Sequence, residues 1–266
     1  MKLGTRTAMY DRLLRVEAYC FDGIVQPFPA HVHEFYVFGL IERGSRRLVC
    51  AESEYAVSPG NTLVFNPGDS HSCTQEEDTL LYRALNIPRD IVLDHLGYLP
   101  RFTVNVLSDV RLFPAVRTLY ASIESGAPGR ERQLEELLKY AAGKYGAALE
   151  RAAYREEVAR AREYIKANYS AKVSLDALSD EAGLSKSALL RAFEKATGVT
   201  PYLYLESVRV GAARLLLERG ASPAEAALMC GFSDQSHLTN CFGRLLGLTP
   251  GAYRKIYTQD GDLNER

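Results

Sequence analysis

The sequence predicts an α+β protein of two domains, in which a β-barrel or sandwich is followed by an all-helical domain. Its 266 residues exceed the roughly 100–200 of a single typical domain. The first hundred residues contain short β-branched and aromatic segments separated by turn signals, which are typical of strands. From about Asp109 the apolar residues recur with a helical period, and the last hundred residues contain an internal repeat.

Composition excludes several classes of protein. Hydrophobic residues make up 47% and charged residues 24%, as in ordinary soluble globular proteins. No apolar run approaches the roughly 18 residues of a membrane span, and the N-terminus lacks the apolar core of a signal peptide. We therefore expect a cytoplasmic protein with no membrane partner. An odd number of cysteines without a CxxC pair argues against a disulfide framework or a zinc finger. The cysteines are Cys20, Cys50, Cys73, Cys230 and Cys241.

Five segments of the first domain, which we place at residues 1–108, are predicted strands. They read "RVEAYCFDGI", "HEFYVFGLIER", "RRLVCA", "TLVFN" and "TLLYRALNI". Turn signals lie between them at Gly44, Pro59–Gly60 and Pro67–Gly68. Short strands with regular turns indicate a sandwich or barrel, although the sequence leaves the strand order open.

Residues 109–151 are predicted to form helices. Phe113, Val116, Tyr120 and Ile123 share one stripe, and a second apolar stripe follows the break at "GAPGR". The members of the second stripe are Leu134, Leu137, Leu138, Ala141, Tyr145, Ala148 and Leu149. Such stripes can cover one end of the barrel or form a dimer seam. The two interpretations are compatible, and we expect a homodimer.

The C-terminal region repeats itself at an offset of 49 residues. The shared phrase is S-x-L-x-x-x-F-x-[KR]-x-x-G-[VL]-T-P-x-x-Y, which begins at Ser187 and again at Ser236. Each copy predicts a helix, a glycine turn and a second helix. Ser174 and Ser185 are predicted N-caps in the first copy, and Ser222-Pro223 begins the second. Two such units can place one helix each in successive major grooves of DNA.

Charge gives weaker support for a phosphate-facing C-terminal half. Residues 152–257 contain 14 basic and 11 acidic side chains, whereas residues 1–151 contain 17 basic and 19 acidic ones. The excess of positive charge in the second half is small but has the sign that nucleic acid requires.

The sequence resembles the AraC/XylS family of bacterial transcription regulators. The resemblance rests on "LSKSALLRAFEKATGVTPYLYLESVRVGAARLLL" and "AALMCGFSDQSHLTNCFGRLLGLTPGAYRK", which carry nearly all of the family pattern. It implies a double helix-turn-helix domain at residues 152–257, followed by a polar tail at 258–266. Promoter DNA, a small-molecule effector and RNA polymerase are the partners that it implies, and activation is the expected output.

The resemblance also implies which side chains face DNA. Arg191 is the best candidate for reading a base, because arginine can bind guanine O6 and N7 together. The chain departs from many relatives at Ser187 and Leu190, where a larger side chain is common, and at Asn240, where a basic one is common. The full set is Ser185, Lys186, Ser187, Leu190, Arg191, Lys195, Asp234, Gln235, Ser236, His237, Thr239, Asn240 and Arg244.

The N-terminal half resembles, less specifically, the cupin-like (jelly-roll) barrel in which many relatives hold an effector. Small-ligand sites combine apolar walls with a few polar groups. Arg83 would suit an acidic effector if it faces inward, although the strand pattern leaves its facing open. The candidate effector residues are Phe28, His31, His33, Tyr36, His71, Tyr82 and Arg83.

His31, His33 and His71 raise the alternative of a metal-sensing regulator. They occupy the positions of the three histidines in metal-binding cupins, but the carboxylate of that pattern would fall at Val37 or Phe38. Three imidazoles can bind zinc, so this reading stays open beside a purely structural one. A metal-dependent cupin enzyme fused to a DNA-binding module is the least favoured alternative. We therefore predict no enzyme activity, no resident metal and no cofactor.

Overall fold

The computed structural model describes residues 4–25, 27–50, 53–75, 79–148 and 156–258. These residues form two units. The first lies within Met1–Pro27 and Glu34–Arg151, and the second within Phe28–His33 and Ala152–Arg266. Within the described ranges, no helix is both long enough and apolar enough to cross a bilayer.

The strands belong almost entirely to the first unit. They are β1 Thr5–Asp11, β2 Val16–Ile24, β3 Phe28–His31, β4 Phe35–Arg43, β5 Arg46–Cys50, β6 Ser53–Val57, β7 Thr62–Phe65, β8 His71–Gln75, β9 Leu80–Pro88, β10 Pro100–Phe102, β11 Val106–Leu107 and β12 Gly146–Ala148. All five predicted strand segments are present, and the sequence reading omitted β1, β3, β6, β8, β10, β11 and β12.

Helices make up most of the second unit, and three of the described helices belong to the first unit. The helices are α1 Arg89–Leu96, α2 Leu112–Ser125, α3 Arg130–Tyr145, α4 Glu156–Asn168, α5 Leu175–Ala182, α6 Lys186–Thr197, α7 Pro201–Glu218, α8 Pro223–Met229, α9 Gln235–Leu246 and α10 Pro250–Thr258. The predicted two-domain α+β fold is confirmed. The individual domain bounds remain predictions, and the expected boundary at 151/152 falls outside the described residues.

The first unit is built on a six-stranded sheet with the order β1-β2-β9-β4-β7-β11. A smaller antiparallel sheet contains β5 between β6 and β8. Side chains from both sheets meet, since the Phe65 and His71 rings stack with centroids 4.0 Å apart. The Arg46 guanidinium also donates to the carbonyl oxygen of Ile24 at 2.9 Å.

Alternation gives the large sheet two different faces. Phe38, Leu40 and Leu85 lie on the face covered by α2 and α3, and all three are fully buried. The opposite face carries Val37, Phe65 and Asn86, which lie beside one another on β4, β7 and β9. Most of the predicted strands carry apolar residues on both faces because both faces are covered.

The apolar stripe of α3 is buried inside its own unit. Leu134, Leu137 and Leu138 are at most 2% exposed and belong to the core formed with α2 and the large sheet. Burial of a leucine side chain stabilises the fold by about 1.5–3 kcal/mol. The stripe therefore covers the sheet, and its apolar side chains are not available as the dimer seam proposed from the sequence.

The second predicted helix ends earlier than its apolar pattern suggested. The structure ends α3 at Tyr145, and Ala148 belongs to strand β12, which pairs with β10. The physical reason is the tertiary pairing, since Phe102 of β10 lies opposite Gly146. Leu149, the last member of the predicted stripe, lies outside the described residues.

The second unit contains two helix-turn-helix pairs, α5–α6 and α8–α9, with α7 between them in sequence. Side-chain oxygens of Ser174, Ser185 and Ser222 accept hydrogen bonds from backbone N–H groups at the N-termini of α5, α6 and α8, as predicted. The matching core residues of the repeat, Leu189, Phe193, Leu238 and Phe242, are all fully buried.

Residues Phe28–His33 belong to the second unit, which no sequence pattern predicted. Val32 is 6% exposed and packs into the same core as Phe193 and Leu205. Its backbone N–H donates to Oγ of Ser207 on α7 at 3.5 Å.

Candidate DNA-binding and effector-binding sites

Helix α6 presents a polar face that the rest of the unit leaves uncovered. Lys186, Ser187, Leu190, Arg191 and Lys195 are all exposed. Among the described residues, no hydrogen bond or ion pair holds the Arg191 guanidinium. Lys186 instead forms an ion pair of 2.5 Å with Asp176 of α5. The geometry leaves Arg191 able to reach a ligand outside the protein.

Ser185, at the start of α6, has a structural role. Its Oγ accepts from the backbone N–H of Ala188 at 3.3 Å, which satisfies one of the unpaired donors of the first turn. Asp234 does the same for α9, since its Oδ1 accepts from the N–H of His237 at 2.8 Å. Hydrogen bonding to the backbone lowers the pKa of Asp234. Both residues position the predicted DNA-facing helices.

Helix α9 exposes a second polar face. Gln235, Ser236 and Asn240 are exposed, and Thr239 is half-buried. The Thr239 hydroxyl donates to the backbone carbonyl of Gln235 at 2.8 Å. These four side chains offer amide and hydroxyl groups, which can exchange hydrogen bonds with water, with phosphates or with base edges.

The remaining members of the predicted set, His237 and Arg244, face a buried carboxylate. Glu206 of α7 is 4% exposed, and its Oε2 accepts from the Arg244 guanidinium at 2.5 Å. Its Oε1 accepts from the thiol of Cys241 at 3.1 Å and lies 3.9 Å from Nε2 of His237. Burial, with a contribution from Glu206, raises the pKa of the Cys241 thiol to about 12.

Sequence reasoning did not single out Glu206. A carboxylate within an apolar helix requires a cation or several donors if it becomes buried. The sequence signal for Glu206 was an acidic residue in the apolar segment "YLYLESVRV", which is predicted to form a helix between the two repeats. Periodicity alone does not identify the partner of this carboxylate.

The structure settles the facing of three effector candidates. Arg83 and Tyr36 lie on the helix-covered face of the large sheet, whereas Tyr82 lies on the other. The Arg83 guanidinium is 5.4 Å from the centroid of the Tyr120 ring on α2, and it forms an ion pair with Glu42. The Tyr36 hydroxyl donates to the Pro100 carbonyl at 2.8 Å. Arg83 and Tyr36 therefore do not line the same space as Tyr82.

A groove of about 860 Å³ lies where Arg83 meets α2. Its charged walls contain three guanidinium groups and two carboxylates, and its apolar walls include two aromatic rings. These residues are Arg43, Arg83, Arg117, Glu42, Glu124, Phe113 and Tyr120. A volume of this size falls in the range of small-molecule sites.

The sequence reading missed several buried polar residues, which lie on the other face of the large sheet or on the smaller sheet. Glu17 is 3% exposed, and its carboxylate accepts from the Tyr19 hydroxyl at 3.2 Å and the Asn86 amide at 3.3 Å. Arg46 is 1% exposed and donates to two backbone carbonyls. Tyr82 lies on the same face of the large sheet as Glu17, and burial raises its pKa. The only sequence signal for Glu17 and Arg46 was that each is a charged residue within a short, mostly apolar strand.

The three histidines of the metal hypothesis are divided between the two units. In the second unit, the His31 and His33 rings have centroids 6.0 Å apart, and Nδ1 of His31 lies 2.8 Å from the Pro29 carbonyl. Burial lowers the pKa of His31. His71 belongs to the first unit, where it stacks on Phe65. A shared role for the three residues stays a prediction. Phe28, the last effector candidate, is half-buried in the second unit.

Comparison with known proteins agrees with both units. Residues 16–142 match the model of the AraC-like ligand binding domain, and residues 178–256 match that of a helix-turn-helix domain. The HTH-type transcriptional regulator YbfI of Bacillus subtilis is 39% identical over 252 residues, which cover 90% of this chain and 91% of YbfI. The chain belongs to the AraC family of transcription regulators.

A more distant relative and a solved structure extend the comparison. The HTH-type transcriptional activator RhaR of Escherichia coli is 24% identical over 251 residues, covering 87% of this chain and 89% of RhaR. The crystal structure of ToxT from Vibrio cholerae with a bound unsaturated fatty acid has a TM-score of 0.56 and 13% identity, and covers 97% of this chain and 95% of ToxT. That likeness shows a shared fold.

Because the chain belongs to the AraC family, we call α6 and α9 the recognition helices. The term follows from their place as the second helices of the two helix-turn-helix pairs, and the exposed faces described above are consistent with it. The matched ligand-binding region contains the whole of the groove beside Arg83.

Proposed function

We propose that the chain is a sequence-specific DNA-binding activator controlled by a small effector that its β-rich unit binds. The observation that carries the proposal is the pair of recognition helices, each anchored by a buried apolar stripe and each exposing a polar face. Such an arrangement leaves the outward side chains free to contact base edges and phosphates. Activation is supported by the relative RhaR, which is a transcriptional activator.

The two recognition helices contribute unequally to the proposed DNA contacts. On α6, Arg191 reads a base, while Lys186 and Lys195 contact phosphates. On α9, Gln235 and Asn240 supply amide groups that suit adenine. Ser236 and Thr239 add hydroxyl contacts, and Ser187 and Leu190 complete the face of α6 with small or apolar contacts. Arg244 has an indirect role, because its guanidinium is committed to Glu206.

The DNA-binding proposal is tested by selection from a pool of random duplexes with the purified full chain. We expect enrichment of a site with two conserved elements about one helical turn, roughly 34 Å, apart. Binding of all sequences with equal affinity, or no binding, would remove the proposal.

We further propose that the effector carries an acidic group and binds in the groove beside Arg83. Three guanidinium groups line the groove, and each offers several N–H donors, so an anion can bind there although Arg43 pairs with Asp22 and Arg83 with Glu42. Phe113 and Tyr120 supply apolar surface for the remainder of the molecule. The fold can accommodate such ligands, since ToxT was solved with an unsaturated fatty acid.

A thermal-shift screen of small carboxylates and their uncharged amides tests the effector proposal. A ligand that binds only the folded protein raises the melting temperature. We expect shifts from acids but not amides, and their loss in Arg83→Met. The matched control is Arg47→Met, since Arg47 is exposed on β5 and its ion pair with Glu54 lies outside the groove. Equal shifts in both variants would contradict the proposed site.

We propose a homodimer for the active form, as the family resemblance implies, with RNA polymerase as its partner at the promoter. The apolar stripe of α3 is already buried, so the dimer must use an outer face. The exposed outer face of α3 carries ion pairs such as Lys139 with Glu135. Sedimentation equilibrium tests the assembly: we expect a dimer, and a monomer at every concentration would contradict the proposal.

A further inference from the structure

Three side chains between α7 and α9 form a group that the DNA-binding proposal does not use. Glu206 contributes a carboxylate, His237 an imidazole and Cys241 a thiol, and one ligand atom from each lies within 4.8 Å of the other two. His237 and Cys241 are four residues apart on α9 and therefore share one face of the helix. We call these three residues the Glu–His–Cys cluster.

We propose that the Glu–His–Cys cluster is a binding site for a divalent ion of the zinc class, which links α7 to the second recognition helix. Zinc binds cysteine sulfur, histidine nitrogen and carboxylate oxygen, usually with four ligands. A thiolate among the donors selects against calcium and magnesium, which prefer oxygen. With three protein ligands, water completes the coordination.

The spacing of the ligand atoms suits a site of this kind. Zinc–ligand bonds of about 2.0–2.3 Å place tetrahedral ligands roughly 3.3–3.8 Å apart. Oε1 of Glu206 lies 3.1 Å from Sγ of Cys241 and 3.9 Å from Nε2 of His237. The remaining separation is no more than 4.8 Å. A small rotation of the imidazole closes it, and that ring is the most exposed of the three side chains.

Outer contacts orient two of the three ligands. Oε2 of Glu206 is held by Arg244, so Oε1 is the oxygen that faces His237 and Cys241. Nδ1 of His237 lies 3.2 Å from the Ser233 hydroxyl, which can accept its proton when Nε2 binds the ion. The Ser233 backbone N–H, 3.4 Å from Nδ1, then loses its acceptor. Metal-binding histidines almost always have such a partner on the other ring nitrogen. The arrangement therefore supports both the ligand atoms and their orientation.

The charge of the Glu–His–Cys cluster and its access to solvent also agree with a bound divalent ion. When the ion binds, the S–H bond of Cys241 is replaced by a sulfur–metal bond, and the proton is released to water. The thiolate then offsets one positive charge of the ion, and the Glu206 carboxylate is shared between the ion and Arg244. Glu206 and Cys241 are buried, whereas the His237 side chain is 31% exposed and gives the ion a route from solvent. This role takes His237 out of the set of DNA contacts.

Cobalt(II) titration of the full, tag-free chain tests the site directly, because cobalt reports its ligands by absorption. We expect one Co²⁺ per chain, visible bands of a tetrahedral ion, an ultraviolet thiolate-to-cobalt band, and displacement by added Zn²⁺. Absence of the thiolate band from the wild-type spectrum would overturn the proposal without the need for a variant.

Variants then assign the ligands. Cys241→Ser keeps the size of the side chain and should abolish the thiolate band, and His237→Asn should abolish tight binding. Ser233→Ala removes an orienting contact and should weaken binding by roughly 10-fold or more. Circular dichroism checks that each variant folds.

Two controls separate this site from others. Cys73→Ser removes a cysteine of the first unit and should leave the titration unchanged. His71→Ala tests the histidine hypothesis and should also leave it unchanged. Binding that is lost in His71→Ala but retained in Cys241→Ser would overturn the assignment, as would equal binding by all variants.

Discussion

The carboxylate of Asp109 lies 2.7 Å from Nζ of Lys144, so the start of α2 is tied to the end of α3. The same carboxylate accepts from the backbone N–H of Leu112 at 2.8 Å and from the Tyr140 hydroxyl at 2.9 Å. Tyr145 is a further donor. These hydrogen bonds hold the pKa of Asp109 well below its usual range. One buried carboxylate thus fixes the two helices that cover the sheet.

Replacement of Asp109 by Asn should destabilise the helical layer of the first unit. The amide keeps the size of the side chain but loses the charge and at least one acceptor. We expect a loss of about 1.5–3 kcal/mol in the free energy of opening of α2 and α3, because the charged hydrogen bonds from Lys144 and Tyr145 are lost, whereas the amide oxygen can still cap α2. Hydrogen exchange of the α2 and α3 amides measures it. Lys139→Ala, which removes an exposed ion pair of α3, should leave these amides unchanged.

Acid should weaken the same layer through Asp109. Its folded-state pKa is depressed, so the folded protein releases this proton at a lower pH than the unfolded chain does. The stabilisation is complete at neutral pH and falls as the pH drops below the ordinary value of 3.8. Protection factors of the α2 and α3 amides, which correct for the intrinsic pH dependence of exchange, should fall more steeply between pH 6 and about 3 in the wild type than in Asp109→Asn. Parallel curves would assign the acid sensitivity to other groups.

Gly231 should tolerate no side chain at the turn before α9. Its φ is +77°, and an added Cβ would lie 2.6 Å from the carbonyl oxygen of Ser170. Gly220 also has a positive φ, at +92°, but a Cβ there would meet nothing within 4 Å. Gly231→Ala should therefore lower the melting temperature of the second unit more than Gly220→Ala does, because it adds a clash to the backbone strain. Calorimetry measures the melting temperature of each variant. Equal decreases in the two variants would indicate that backbone strain alone, and not the clash with Ser170, destabilises the unit.

Most of the helical unit could be predicted from the sequence because its signals are local. Caps at Ser174 and Ser185, the glycine turns and the paired Leu–Phe stripes all act within a few residues of one another. The repeat of 49 then placed the recognition helices. Glu206 could not be predicted as a partner of Arg244, because 38 residues separate the two and only tertiary packing brings them together.

The β-rich unit was less predictable because its determinants are long-range. The apolar residues on both faces of "LLYRALNI" left the facing of Arg83 undecided until α2 was seen to cover one face. The end of α3 was misplaced for the same reason, since β12 exists only through its pairing with β10. Packing of Phe28–His33 with the helical unit likewise has no local signal.

The most direct test of the central claim is the affinity of Arg191→Ala for a duplex selected by the wild-type chain. If Arg191 reads a base, the variant should lose about 1–3 kcal/mol of binding free energy on that duplex and little on a scrambled one. Arg219→Ala, which removes an exposed arginine outside both recognition helices, is the matched control and should bind both duplexes as the wild type does. Unchanged discrimination between the two duplexes in Arg191→Ala would contradict the account.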